Sequence, residues 1–333
     1  MQPMIRTITS LLACACASGL WADQELVKSS SADSLMEAGH YKRARVVVTA
    51  RLRANPKDSY ALFLESKIKQ SFGDFAGAIA SAERAVALEP HNANYHAQLA
   101  EVYAFSADQA SWLRGINLVH LMKREIAASL AIAPKHTDTL LVSMMFCLRA
   151  PKFVGGDKRK ARTIAGEIVQ SDPNWGYLAE ARLLENSGDD AHLEALLKQA
   201  VEVNPTHYRA LYELARFYCC AAVHKSFSTA ESTSRQAMQI DPGRVGAFDL
   251  IARVYAATRR WTELDAILGQ SERAVPDDFA PFYQAANILI QDGSDRPRAA
   301  AYLRKYLSQE PEGREPSRAQ AQSLLSMTAA ASK

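Results

Sequence analysis

Apolar residues recur along the chain with the 3.6-residue period of amphipathic helices, in segments separated by short polar turns. The clearest unit spans residues 243–276. Its first predicted helix, residues 245–258, carries Phe248 and Tyr255 on one face, and a second predicted helix covers residues 261–274. Because the turn between them is short, the two helices are expected to pack as an antiparallel pair.

A proline ends each such unit. It removes a backbone N–H and disfavours helix in the residue before it, so it stops one helix and opens the turn to the next. Successive prolines of this kind lie 32 to 44 residues apart: Pro56, Pro90, Pro134, Pro173, Pro205, Pro242, Pro276 and Pro311. This spacing indicates eight helix pairs and no sheet.

Small residues fall at fixed places within these units, where two helices must approach closely. Each first helix has a small residue followed three positions later by a large apolar one: Ala100/Tyr103, Ser143/Phe146, Ala181/Leu184, Ala215/Tyr218, Ala252/Tyr255 and Ala286/Leu289. Together with the proline spacing, these residues resemble the tetratricopeptide repeat. The resemblance implies an all-α, right-handed superhelical solenoid of about eight helix pairs over residues 23–333, closed by a C-terminal capping helix over 317–330.

Three segments depart from this repeat. The first predicted helix, around residues 25–38, is poorly patterned. An extra segment, Ala107 to Gly115, makes one unit ten residues too long and is expected to lengthen a turn or a helix. The stretch from Pro151 to Asp157 combines proline with paired glycines, so a loop is predicted between the helices of the next unit.

The N-terminus has the pattern of an export signal over residues 1–22. Arg6 precedes an apolar and small stretch, Thr7 to Ala22, and cleavage after Ala22 fits a secretory signal. Two alternatives stay open: a lipoprotein anchored at Cys14, and an uncleaved N-terminal helix. The leading interpretation places the mature protein in the periplasm or outside the cell.

Composition and motifs argue against several classes of function. The 39 basic and 36 acidic residues nearly cancel, which is not the basic excess of nucleic-acid-binding proteins. The eight histidines form no metal-ligand pattern and are predicted to be surface or turn residues. No catalytic motif is present, and Cys219-Cys220 is interpreted as two helix residues rather than a redox pair. The sequence therefore predicts no enzyme activity, no cofactor and no metal.

The resemblance also implies where a partner would bind, because first helices line the concave groove of such solenoids. The residue after the small helix-contact position is an arginine in three successive units: Arg182, Arg216 and Arg253. The other candidates for the groove are Arg209, Tyr212, Tyr283 and Asn287. Arginine suits carboxylates, so an acidic or carboxylate-bearing peptide is the expected ligand. In the alternative interpretation, the arginines form a solvated face neutralised by Glu185 and Asp249.

The sequence thus favours an exported scaffold that binds a protein or peptide within an envelope complex. One alternative is a binding subunit for a small anion, associated with a solute transporter. The Pro151–Asp157 loop is similar to one in exported repeat proteins of that kind. The other alternative is an enzyme regulator.

Overall fold

The computed structural model describes residues 31–185, 187–220, 225–314 and 316–330. Within these ranges the chain forms seventeen α-helices and one short 3-10 helix, and no strand. The predicted signal segment, its cut after Ala22 and the alternative anchor at Cys14 lie outside the described residues. Among the described helices, none has the length and apolar character that a bilayer span requires.

The helices alternate as first and second members of eight antiparallel pairs, followed by a single last helix. The first four pairs are α1 (Ala32–Glu37) with α2 (Tyr41–Ala54), α3 (Ser59–Ser71) with α4 (Phe75–Leu88), α5 (Ala93–Asp108) with α6 (Trp112–Ile132), and α7 (Thr137–Arg149) with α8 (Lys158–Ser171). The others are α9 (Pro173–Leu184) with α10 (Asp190–Val203), α11 (Tyr208–Cys220) with α12 (Phe227–Ile240), α13 (Val245–Ala257) with α14 (Trp261–Ala274), and α15 (Ala280–Gln291) with α16 (Arg296–Leu307). Helix α17 (Arg318–Ala330) caps the stack. The expectation of a helical-repeat solenoid is confirmed.

Local sequence explains where these helices begin and how closely they pack. Side chains cap several N-termini: Asp58 accepts from the Ala61 amide and Asp74 from the Gly77 amide. The small residues at the predicted contact positions are fully buried, as at Ala100, Ala215 and Ala252. A larger side chain at these positions would push the paired helices apart.

The three departures from the repeat have separate outcomes. Helix α1 is only six residues long. The extra segment lengthens helices rather than the turn, because α5 runs to Asp108 and α6 begins at Trp112 and continues for 21 residues. The predicted loop contains the 3-10 helix Lys152–Val154, and Gly155 follows it with φ at 113°. That backbone conformation is one that glycine adopts without steric cost.

The first helices form the inner layer of the curved stack. Along most of the chain they contact one another, as α5 does α7 and α13 does α15, whereas the described second helices have at most marginal contact with each other. A stack packed this way must curve with its first helices inside. One step differs from the rest, since α9 and α11 have at most marginal contact.

The two ends of the stack meet. On α2, Arg43 pairs with Asp277 at 2.8 Å and Arg45 pairs with Glu310 at 3.0 Å. The Lys42 backbone amide also donates to the carboxylate of Glu312 at 3.2 Å. We call this set of residues the closure contact.

Two further interactions support the closure contact. The Arg314 amide donates to the Ser71 carbonyl at 2.8 Å, and the Arg314 guanidinium lies 5.5 Å from the centre of the Phe75 ring. The described chain therefore curves until its first helices touch its last ones.

The expectation that all eight histidines are surface or turn residues is wrong for His96, which lies within helix α5, whereas His40 does lie in the turn before α2. His40 and His96 are both buried, each with 7% of its surface exposed. His96 lies 2.6 Å from a carboxylate oxygen of Glu125. His40 lies near Asp277 and Glu312 at the closure contact, in a donor set that could hold a metal ion. Lys42 lies 3.7 Å from Glu312 and Arg43 lies 2.8 Å from Asp277, so both carboxyl groups also belong to the closure contact.

Candidate functional site

A pocket of about 990 Å³ lies where α9 and α11 separate. Its walls come from α7, α9, α10 and α11, and we call it the basic pocket. Apolar side chains such as Met145, Leu178 and Phe217 line part of the wall, while Trp175 and Cys220 also border it. The pocket is open to solvent on the inner side of the stack. A cleft that combines apolar walls with a few charged groups has the general make-up of a binding site.

A network of ion pairs spans this pocket. Glu185, just after α9, accepts from Arg182 at 2.7 Å and from Arg216 at 2.8 Å. Glu213 on α11 accepts from the Arg216 Nε at 2.6 Å and pairs with Arg209, also at 2.6 Å. Arg182 lies 3.9 Å from Glu213. Two carboxylates thus hold three guanidinium groups, and charged side chains bridge the step where the helix backbones do not pack.

The network fixes the charge state of its members. Burial by itself raises the pKa of Glu185, but hydrogen bonds from Arg182 and Arg216 outweigh it and hold that pKa below its ordinary value. Burial opposes the charged form of Arg216, and the neighbouring Glu213 and Glu185 carboxylates more than compensate, so the pKa of Arg216 is raised. Both shifts favour the charged forms of Glu185 and Arg216. Their orientation is set before any ligand arrives.

Arg149, at the end of α7, is the basic side chain of the pocket that no carboxylate neutralises within the described residues. It also lines an adjoining cavity of about 330 Å³ together with Lys158 and Arg162, which likewise have no ion-pair partner in the described chain. Arg182 and Glu185 border both spaces. The positive charge of this region therefore exceeds its negative charge on the side nearest α7 and α8.

Cys220 is an exposed thiol at the border of the pocket. Interaction with the adjacent Cys219 thiol lowers the pKa of Cys220, and the Arg253 and Arg216 guanidinium groups act in the same direction. Cys219 is buried. The two cysteines are free, as the interpretation of them as plain helix residues implies, but Cys220 lies within the field of the arginines.

The remaining predicted groove residues do not line the basic pocket. Tyr212 stacks on Tyr208 at a centroid distance of 6.4 Å, and burial raises the pKa of Tyr212 to about 12. Tyr283 packs against Tyr306 at 5.3 Å. Asn287 accepts a hydrogen bond from Gln291 at 3.4 Å. These three side chains belong to the packed part of the inner layer.

Arg253 occupies the third place in the predicted arginine series, under different conditions from the other two. Its Nε is buried without a hydrogen-bond partner in the described chain, and so is the Oδ1 atom of Asp249. Of the two carboxylates expected to neutralise the arginines, Glu185 does so and Asp249 forms no hydrogen bond to Arg253. The role of the seven predicted groove residues in binding stays a prediction.

Two important members of the site were not anticipated from the sequence. Arg149 belongs to a stripe on α7 in which Leu141, Met145 and Arg149 are spaced four residues apart and so share one face. This spacing is visible in the sequence and could have predicted that Arg149 lies on the same helix face as Leu141 and Met145. Glu213 is one position removed from the predicted Tyr212, and only the gap beside α9 gives it three arginine neighbours.

Comparison with solved structures identifies the fold. The chain is similar to yeast Tom70, with a TM-score of 0.57 and 14% identity over 91% of this chain and 65% of that one. It is also similar to human IFIT1, solved as a dimer with PPP-AAAA, with a TM-score of 0.53 and 12% identity over 90% and 73% of the two chains. A tetratricopeptide repeat protein from Parabacteroides merdae aligns over 93% of the chain with a TM-score of 0.44 and 14% identity.

No family model and no curated protein matches the sequence. The chain spans 65% of the length of Tom70. At these identities the likenesses show a shared architecture. The chain therefore has the tetratricopeptide-repeat fold that its prolines and small residues imply, and this fold by itself does not specify a ligand.

Proposed function

We propose that this chain is an exported interaction scaffold whose basic pocket binds an acidic or carboxylate-bearing segment of a partner protein. The helical-repeat fold supports a role in protein–protein interaction in general, because such solenoids present a long inner surface to their partners. The apolar and small stretch before Asp23 supports export to the periplasm or beyond. We further propose that the protein acts without a cofactor and without catalysis.

One observation carries the proposal: Arg149 has no ion-pair partner among the described residues, and it lines the same pocket as Arg182 and Arg216, which are oriented in advance by Glu185 and Glu213. Such a rigid array loses little side-chain entropy when a ligand binds. An incoming carboxylate finds an unneutralised guanidinium on α7 and partly exposed ones on α9 and α11. The carboxylates already in the pocket limit its affinity for simple anions, which favours a larger ligand with further contacts.

The openness of the basic pocket supports a partner segment rather than a small anion as the ligand. A subunit for a small anion would need an enclosed basic chamber that excludes water from the ligand. Here the space is about 990 Å³ and opens along the inner face, with apolar walls on α7 and α11. This shape suits a segment of chain better than a small ion.

The experiment is a selection from a random peptide library displayed with free C-termini, followed by affinity measurement on the enriched peptides. Acidic sequences should be enriched. Arg149→Ala should weaken their binding about tenfold, since one charge-assisted hydrogen bond is lost. Because Arg149 is exposed and makes no ion pair in the described chain, its replacement should leave the melting temperature unchanged.

Arg304→Ala is the matched control, since Arg304 is an exposed arginine on the second helix α16. Equal affinity of the Arg149→Ala protein and the unmodified one would refute the proposed role of the pocket. The export proposal is checked on protein isolated from its own host, where the intact mass should correspond to loss of residues 1–22. A retained Met1 would contradict it, and an acylated Cys14 would identify the lipoprotein alternative.

A further inference from the structure

The two insertions that interrupt the repeat meet in space. Trp112, which belongs to the extra segment and begins α6, packs against Phe153 of the Pro151–Asp157 loop with ring centroids 5.1 Å apart. Together they border an apolar pocket of about 600 Å³. We call it the aromatic pocket and define it by Phe105, Trp112, Ile116, Phe146, Phe153 and Val154. Neither insertion would make this pocket alone.

Backbone hydrogen bonds hold the loop in place. The Asp157 amide donates to the Cys147 carbonyl at 2.8 Å, and the Gly156 amide donates to the Pro151 carbonyl at 3.1 Å. Gly156 lies so close to Ala150 that a Cβ atom there would be 1.7 Å from the Ala150 carbonyl oxygen. Lys123 on α6 also donates to the Val154 carbonyl at 2.8 Å. The pocket is therefore a built feature of the fold.

The rim of the aromatic pocket exposes more apolar surface than packing requires. Trp112 is 62% exposed, Phe153 is 67% exposed and Leu113, beside Trp112, is 80% exposed. Single exposed apolar residues are ordinary on protein surfaces, but a cluster of large ones at the mouth of a pocket is typical of an interaction site. An apolar group of a partner would bury much of this exposed apolar surface when it binds.

The aromatic pocket adjoins the basic pocket. Leu141, Met145 and Arg149 line both, as one stripe along α7. Arg149 therefore stands at the boundary, with apolar surface on one side and the arginine network on the other. A single extended segment lying across α7 would meet both kinds of surface within a few residues, since an extended chain advances about 3.3 Å per residue.

Charge sets the direction in which such a segment would lie. The opposite part of the aromatic pocket is lined by Glu101 and Asp138, with Lys67 nearby. An acidic ligand group is disfavoured beside these carboxylates and favoured at Arg149. With the acidic group at Arg149, the apolar part of the ligand packs against the rings of Trp112 and Phe153.

We propose that the aromatic pocket takes a large apolar side chain of the same partner segment whose acidic group binds at Arg149. This inference rests on the proposed function and specifies the partner as a segment in which an aromatic or branched aliphatic residue lies close to an acidic residue or a C-terminal carboxylate. Two insertions in neighbouring repeats thereby supply selectivity that the regular repeat lacks.

The test uses the same free-C-terminus peptide library with three proteins: the unmodified chain, Phe153→Ala and the control Met327→Ala. Met327 is an exposed apolar residue on α17, 55% exposed, so its loss removes comparable surface elsewhere. The unmodified chain and Met327→Ala should enrich peptides that combine a large apolar residue with an acidic one. Phe153→Ala should keep the acidic preference, lose the apolar one and bind the selected peptides about tenfold more weakly.

The outcomes separate the two proposals. Acidic enrichment with no apolar preference, unchanged by Phe153→Ala, overturns this inference and leaves the proposed function standing. Apolar enrichment with no acidic preference overturns the proposed function and the link across Arg149. Trp112→Phe, which keeps an aromatic ring at the rim, should retain the apolar preference. If Trp112→Phe keeps its helicity and still loses the apolar preference, the result would count against recognition by the aromatic rim.

Discussion

Two steps of the same inner layer are built in opposite ways. Between α13 and α15, the first helices pack closely through alanines, with Ala252, Ala256 and Ala285 fully buried and Phe248 only 1% exposed. Between α9 and α11, the helices stand apart, and ion pairs around Glu213 bridge a cleft of about 990 Å³. We refer to these as the tight step and the open step.

The difference shows how one repeat serves two purposes. Alanine contacts at the tight step bury apolar surface, and the resulting stabilisation depends on close complementarity of shape. Ion pairs at the open step contribute less, because water reaches them and screens the charges. The stack is therefore rigid where its first helices touch and adaptable where they do not. The open step leaves the cleft in which we propose that a partner's acidic group binds.

The largest expected effect is that of Ala→Leu at equivalent repeat positions of the two steps. Ala252→Leu at the tight step inserts three carbons where no space exists and should destabilise the fold by roughly 1–3 kcal/mol. Ala181 occupies the same repeat position at the open step, and it lines the pocket. Ala181→Leu can extend into that pocket, so its cost should be well below that of Ala252→Leu. Urea unfolding of the two variants measures the difference.

Similar destabilisation by both substitutions would show that the open step is as closely packed as the tight one, against the structure. Peptide binding gives a second reading. Ala181→Leu narrows the basic pocket and should weaken binding of acidic peptides, whereas Ala252→Leu should not affect affinity at temperatures where it stays folded.

The next effect concerns the carboxylate that holds the open step together. Glu213 has a side chain only 8% exposed and accepts from Arg209 and Arg216. Glu213→Gln keeps the shape but removes the charge, and it should lower the free energy of unfolding by on the order of 1 kcal/mol. The same change leaves the arginines less neutralised, so affinity for acidic peptides should rise. Unfolding and peptide titration on one sample test both directions.

Glu263→Gln is a suitable control, because Glu263 pairs with Arg260 on the outer helix α14. Its stability and peptide affinity should match those of the unmodified chain. A Glu213→Gln protein with lower affinity for acidic peptides would mean that the network serves only to shape the step, and that the arginines do not bind the partner.

The smallest expected effect is a difference in pH dependence between the steps. At the open step, hydrogen bonds from Arg182 and Arg216 outweigh burial and lower the pKa of Glu185, so its contribution is complete above pH 4.5 and is lost as the pH falls further. At the tight step, burial raises the pKa of Asp249 well above 3.8, and repulsion by Asp278 adds to this. Its contribution is complete below pH 3.8 and is lost as the pH rises.

Acidification should therefore loosen the open step while it stabilises the tight one. Amide hydrogen exchange, corrected for the intrinsic rate at each pH, should show falling protection in α9 and α11 and rising protection in α13. Glu185→Gln should abolish the first trend and Asp249→Asn the second. Parallel pH trends in both regions would contradict the assignment.

Much of the fold could be predicted because the information is local. Helix α14 runs over Trp261–Ala274, in agreement with the apolar pattern and the turn residues that bound it. The count of eight pairs and a cap follows from the proline spacing. These features depend on contacts between residues close in sequence, which periodicity reports directly.

The features that the sequence did not reveal depend on geometry summed over many repeats. His40 is buried only because the stack returns to bring Asp277 and Glu312 beside it. The open step depends on the separation of α9 from α11, and no residue pattern in the sequence predicts that separation. The aromatic pocket arises because two separate insertions happen to fall on adjacent helix pairs. The sequence showed both insertions but not their meeting.

The closure contact couples the open step to the two ends of the stack. Lys42 and Glu312 are 270 residues apart, yet their hydrogen bond ties the first pair of helices to the end of the last. A stack of this kind would otherwise behave as a spring, in which each pair moves only with its neighbours. Because the closure contact joins its two ends, the stack behaves as a closed ring. Any change in the angle between α9 and α11 would then also have to be accommodated at the closure contact, so the width of the cleft and the geometry of the closure contact are coupled.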